Sequence, residues 1–140
     1  MGTYMTGPFQ TGTGLDATGA DTGTVLLSKT ALIDFDATLV QNATFKLPAN
    51  AQIVDFYVDV LTAYDSATSA TLSAGTASGG TQYLSGISVK TGGRRSNGYS
   101  AAQLAAMDGI GTNTSVVATV TSVGQPTAGQ VRVTMVYVQN

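Results

Sequence analysis

Beyond residue 24, apolar and polar residues alternate with a period of two along most of the chain, the mark of half-buried β-strands. The clearest run is Gln52–Thr62. There Val54, Phe56, Val58 and Val60 share one face, and Ile53, Asp55, Tyr57 and Asp59 the other. One aliphatic face and one Asp/Tyr face predict an antiparallel sheet with a single side in the core. Upstream, Thr24–Leu27 and Ala31–Asp36 read as two strands, the second setting Leu32, Asp34 and Asp36 against Ile33 and Phe35. Thr44–Leu47 is a short strand, closed by the turn Pro48-Ala49-Asn50. Ser69–Ala74 and Gln82–Val89 are weaker strands around the small-residue turn region Gly75–Gly80, and Lys90–Gly98 is a glycine-rich loop. Ser115–Val123 and Gln130–Val138 both alternate. Gly124-Gln125-Pro126 through Gly129 connects them, which predicts a hairpin. The sole helix candidate is Ser100–Met107, with Ser100 as N-cap and Leu104 and Met107 three apart. Seven or eight short strands with frequent turn signals predict an all-β fold: an antiparallel β-sandwich or jelly-roll-like domain over residues 25–140.

The first 24 residues break the pattern. They hold six Gly and seven Thr, and Tyr4, Met5, Phe9 and Leu15 fit neither a strand nor a helix period. Such a segment buries too little apolar surface to offset its ordering entropy. Two readings follow: a disordered tail, or an arm that orders on a neighbour by strand addition, with Tyr4, Phe9 and Leu15 as anchors.

Composition then narrows the function classes. The chain has no His, Cys, Trp or Glu. It therefore lacks the usual group that titrates near neutral pH, the thiolate nucleophile and the soft metal ligands. Only 10% of residues are charged, against about 25% in ordinary globular proteins. Six Lys/Arg against eight Asp leave no basic footprint for nucleic acid. A surface with so little charge risks self-association unless copies or partners cover it, so the composition suggests obligate assembly. No apolar run is long enough to span a bilayer, and residues 1–24 lack the pattern of a secretory signal, so the expected site of synthesis is a cytosol.

Candidate chemistry is sparse. Asp34 and Asp36, two apart on one strand, would project together roughly 6–7 Å apart, as a cation site or a solvated face. Asp55 and Asp59 share a face but sit roughly 13 Å apart. Gly92-Gly93-Arg94-Arg95-Ser96-Asn97-Gly98 is the most pointed segment. Its two arginines and Asn97 could contact a neighbouring subunit, clamp a small anion, or stay solvated. It is not a P-loop, and no Gly-x-Ser-x-Gly or Ser-x-x-Lys motif is present, so the expectation is no enzyme and no cofactor. Tyr57, Tyr64, Tyr83, Tyr99 and Tyr137 could form a sugar-stacking rim, or serve only in packing.

The stretch Leu47-Pro48-Ala49-Asn50-Ala51-Gln52-Ile53-Val54-Asp55-Phe56-Tyr57-Val58-Asp59-Val60, then Thr68–Gly75, then Tyr83-Leu84-Ser85-Gly86-Ile87-Ser88-Val89, resembles small virion structural proteins of tailed bacteriophages. The likeness covers residues 45–95 and rests on texture rather than an invariant motif. It implies a head decoration (cement) protein or the base of a head fibre, assembled in the host bacterial cytoplasm. No catalytic residues accompany the resemblance. The Gly/Thr arm, the low charge and the β-rich core add the expectation of a small homo-oligomer, a trimer, whose arm at Tyr4, Met5, Phe9 and Leu15 docks on the major capsid protein. The alternatives from other classes are a carbohydrate- or receptor-binding module and a tail or neck component.

Overall fold

The structure is a computed structural model that describes residues 25–139 apart from Ser96, Gly109 and Gly111. The arm residues Tyr4, Met5, Phe9 and Leu15 lie outside the described residues. Eight strands and one helix follow in order: β1 Leu27–Asp34, β2 Val40–Leu47, β3 Ala51–Thr62, β4 Ser69–Gly75, β5 Leu84–Ser88, β6 Gly93–Arg95, α1 Ala101–Met107, β7 Thr114–Val123 and β8 Gln130–Gln139.

They form two four-stranded sheets, β1-β8-β3-β6 and β2-β7-β4-β5, with every pairing antiparallel. The pairing has a simple logic. β1 pairs β8, β2 pairs β7, β3 pairs β6 and β4 pairs β5, as in one long hairpin. Rolling that hairpin into two layers brings β3 beside β8 and β4 beside β7. This is jelly-roll connectivity, an all-β sandwich. Between the layers lie Ile33, Phe45, Phe56, Val58, Leu72, Leu84, Val120, Val133 and Met135, all buried.

Four local expectations are corrected. The hairpin predicted from residues 115–138 does not form: β7 and β8 follow one another but belong to different sheets. Their alternating faces look across the core at each other. The runs Thr24–Leu27 and Ala31–Asp36 are not separate strands, because Ser28, Lys29 and Thr30 stay in register with Val136, Met135 and Thr134 within one continuous β1. In β3 a register shift between Ile53 and Asp55 turns the strand, so Ile53 is buried and Val54 is exposed, while Phe56, Val58 and Val60 point inward as expected. Part of the segment read as a loop, Gly93–Arg95, is the edge strand β6.

α1 matches its sequence signal. The Ser100 hydroxyl accepts from the Gln103 amide at 3.2 Å, and the Gln103 side chain accepts from the Ser100 amide at 2.9 Å, a capping box. Met107 enters the core while Leu104 stays exposed. No described helix is long and apolar enough to cross a membrane.

Four crossings between the sheets meet at one end of the roll: β1 to β2, β3 to β4, β5 to β6 and β7 to β8. Backbone bonds tie them, Phe35 N–H to Gly129 C=O at 3.1 Å and Asp65 N–H to Ala128 C=O at 3.4 Å. The Asp65 carboxylate accepts from the Thr127 amide at 2.7 Å, the Ala128 amide at 3.1 Å and the Thr127 hydroxyl. Beneath them, the fully buried Tyr64 ring lies flat on Gly129.

Candidate functional site

The most elaborate polar arrangement lies on the outer face of the β1-β8-β3-β6 sheet. It arises from register: Asp59 on β3 stands directly opposite Arg132 on β8 and Arg94 on β6. Oppositely charged residues facing one another across adjacent strands attract, so the three form a plus–minus–plus row. Arg94 grips Asp59 with two bonds, Nε at 2.6 Å and an Nη at 3.0 Å, and Arg132 adds a third at 2.9 Å. The Arg94 guanidinium also lies 5.0 Å from the centre of the Tyr57 ring.

The Asp59 side chain is only 9% exposed, whereas those of Arg94 and Arg132 are 63% and 45% exposed. Hydrogen bonds from Arg94, and then from Arg132, pull the Asp59 carboxyl down to about 2 against the opposing effect of burial. A carboxylate so firmly ionised and so fully bonded is a poor proton donor or acceptor at neutral pH. The row is therefore a structural clasp that leaves guanidinium N–H groups facing solvent.

β6 covers β3 only from Val58 to Val60. At Phe56, side chains replace the missing strand. Asn97 donates to the Phe56 carbonyl, and the Tyr99 hydroxyl accepts from the Phe56 amide at 3.0 Å. The same hydroxyl donates to Asp55 at 2.6 Å. Burial, aided by the Asp55 bond, pushes the Tyr99 phenol up to about 12. Further along, the Ile110 amide closes the edge on the Ala51 carbonyl at 2.9 Å. Edge strands left bare invite uncontrolled pairing, and this edge is sealed.

The predicted loop residues are thus not gathered on one surface. Arg94 points outward over Tyr57. Arg95 follows it on a strand and so takes the opposite face, where its Nε is buried with no partner among the described residues. Asn97 turns to the Phe56 backbone. Asp34 and Asp36 do not pair either, because β1 ends at Asp34. Asp34 accepts from Gln130 at 2.8 Å, while Asp36 folds back to accept from the Thr38 amide at 2.7 Å and from Gln41 at 3.0 Å. No stacking rim is assembled from the tyrosines: Tyr64, Tyr83 and Tyr137 are buried, Tyr99 is half-buried, and exposed Tyr57 lies against Arg94.

Sequence reading missed the partners Arg132 and Tyr99, which no local motif marks. It also passed over the concentration of exposed apolar side chains at the crossover end. Leu32 and Phe35 close β1, Leu39 and Val40 open β2, Leu61 ends β3 and Val123 ends β7, all of them exposed. Comparison with known proteins found no matching family model, no matching curated protein and no matching solved structure.

The titrations set a pH profile. Asp59 is lowered from 3.8 in the folded state, so its contribution is complete above about pH 4 and is lost as pH falls toward 2. Asp36 and Asp65, lowered by bonds from Thr38 and Thr127, act in the same sense. Tyr64 and Tyr99 are raised from 10.0 to about 12, Tyr64 by burial, so their contributions are complete below pH 10 and fade through pH 12. With no histidine between these limbs, the urea midpoint should stay flat from about pH 5 to 9 and fall on both sides. Asp59→Asn should lower stability by about 1 kcal/mol, since both guanidiniums face solvent, and should flatten the acid limb. An acid limb unchanged by Asp59→Asn would contradict this assignment.

Proposed function

We propose that this chain is a virion structural protein: a capsid decoration (cement) protein that binds the outer surface of a phage head as a small homo-oligomer, a trimer, and stabilises it. The observation that carries the reading is the apolar crossover end on a body with very few charges. Exposed apolar side chains gathered at one end of a body are characteristic of contact with other proteins. In this reading the crossover end, around Phe35, Leu39, Leu61 and Val123, packs against neighbouring copies. The jelly roll suits the role, being an architecture used in capsids among other proteins.

The arm supplies the second contact. Tyr4, Met5, Phe9 and Leu15 would anchor an added strand on the edge of the major capsid protein. One arm binds modestly, but three arms on one body gain by effective concentration. The body then bridges capsomers and resists the outward pressure of packaged DNA.

The test is co-sedimentation with assembled heads of tailed bacteriophages from which decoration proteins have been stripped. Saturable binding at a fixed ratio to capsomers supports the reading, together with a shift of capsid disassembly to higher temperature. A chain that stays in the supernatant at every concentration overturns it.

A further inference from the structure

A cleft of about 480 Å³ opens between the two sheets, lined by Lys29, Lys46, Leu47, Pro48, Ser115 and Tyr137. It lies on the side where β1 and β2, each the terminal strand of its own sheet, come together. Its chemistry is one-sided. No carboxylate lines it, and neither lysine forms an ion pair among the described residues.

Both ammonium groups are held in place. Lys29, in register with inward-facing Met135, donates to the Lys46 carbonyl at 2.5 Å, and its Nζ lies 6.0 Å from the centre of the Tyr137 ring. Lys46 donates to the Ser115 hydroxyl at 2.9 Å. An ammonium carries three donors, so about four N–H groups remain between the two. Ser115 accepts from Lys46, which leaves its own proton to donate. Asn113 also lines the cleft. Its carbonyl oxygen accepts from the Ala49 amide at 2.9 Å, which leaves its NH₂ group for another partner. Donors therefore predominate around the space, although the Thr114 hydroxyl, which donates to the Thr112 carbonyl, offers only its lone pairs, and the walls at Leu47, Pro48 and Tyr137 are apolar.

We propose that this cleft is a binding site for an oxyanion, carboxylate or phosphate, carried on a short apolar stem. Solvated lysines on an open surface need no ligand. These two differ because each is tethered, both line one partly open cleft of ligand size, and neither has an internal counter-charge. The inference stands on the cleft alone and does not depend on the capsid reading.

The experiment is an NMR titration of the full chain with two probes in parallel. One is inorganic phosphate, and the other is an acetylated, amidated peptide of alternating leucine and aspartate. Expected are saturable shifts at Lys29, Lys46, Ser115 and Tyr137 that weaken as salt is raised. Lys29→Met and Lys46→Met should each weaken binding about tenfold, and Lys90→Met, outside the cleft, should leave it unchanged. Lys46 is exposed, so Lys46→Met keeps the test decisive if Lys29→Met fails to fold. Response to phosphate alone supports the site with a free anion as its source. Response to the peptide supports it with protein carboxylates as the source. Silence to both probes overturns the proposal, as does equal weakening by Lys90→Met.

Discussion

Gly129→Ala should destabilise the protein by about 3 kcal/mol, lowering the melting temperature by about 10 °C. The reason is space. A Cβ at position 129 would sit 2.6 Å from two carbons of the Tyr64 ring, far inside contact distance. The ring cannot yield easily. It is 1% exposed, its backbone amide is bonded to the Val89 carbonyl at 3.0 Å, and its hydroxyl reaches the Ile33 carbonyl at 3.4 Å. Nor can the glycine retreat, because its carbonyl holds the Phe35 amide and the adjacent Ala128 is tied to Asp65. The stack thus secures the end where the four crossings meet. Tyr64→Leu should relieve the clash, so the double variant should be less destabilised than the two single losses added together. Melting within about 2 °C of the parent for Gly129→Ala would show that the ring shifts freely and that this account of the end is wrong.

Removing residues 1–24 should leave the body folded and abolish capsid binding. The first half rests on the core, whose buried cluster among the described residues runs from Ile33 in β1 to Tyr137 in β8 and already joins both sheets. The melting temperature of the truncated chain should match the full chain closely. The second half follows from multivalency: in the proposed trimer, losing three arms together removes the gain in effective concentration as well as the contacts, so occupancy should drop by at least about a hundredfold. Full decoration by the truncated chain would place the capsid contact on the body.

What the sequence made legible was whatever depends on near neighbours. The inward face of Phe56, Val58 and Val60 follows from a period of two, and the Ser100 cap follows from Gln103 three residues on. Long-range partnership was not written locally. β7 and β8 show the same alternation whether they pair side by side or face each other across a core, so the short connection between them suggested a hairpin that does not exist. The bulge in β3 was hidden because Ile53 and Val54 are both aliphatic, and either could have pointed inward. Nothing near Arg94 announces that position 59 lies opposite it, and nothing near Lys29 announces Lys46. Arg132 joins Asp59, and the cleft forms, only because the hairpin rolls.

The proposed trimer, taken to form before the capsid is met, is tested most directly by its solution mass. Light scattering on the full chain and on residues 25–140 should give three times the chain mass in both, the full-length value being three times 14.2 kDa. A monomer in both forms at every concentration would contradict it.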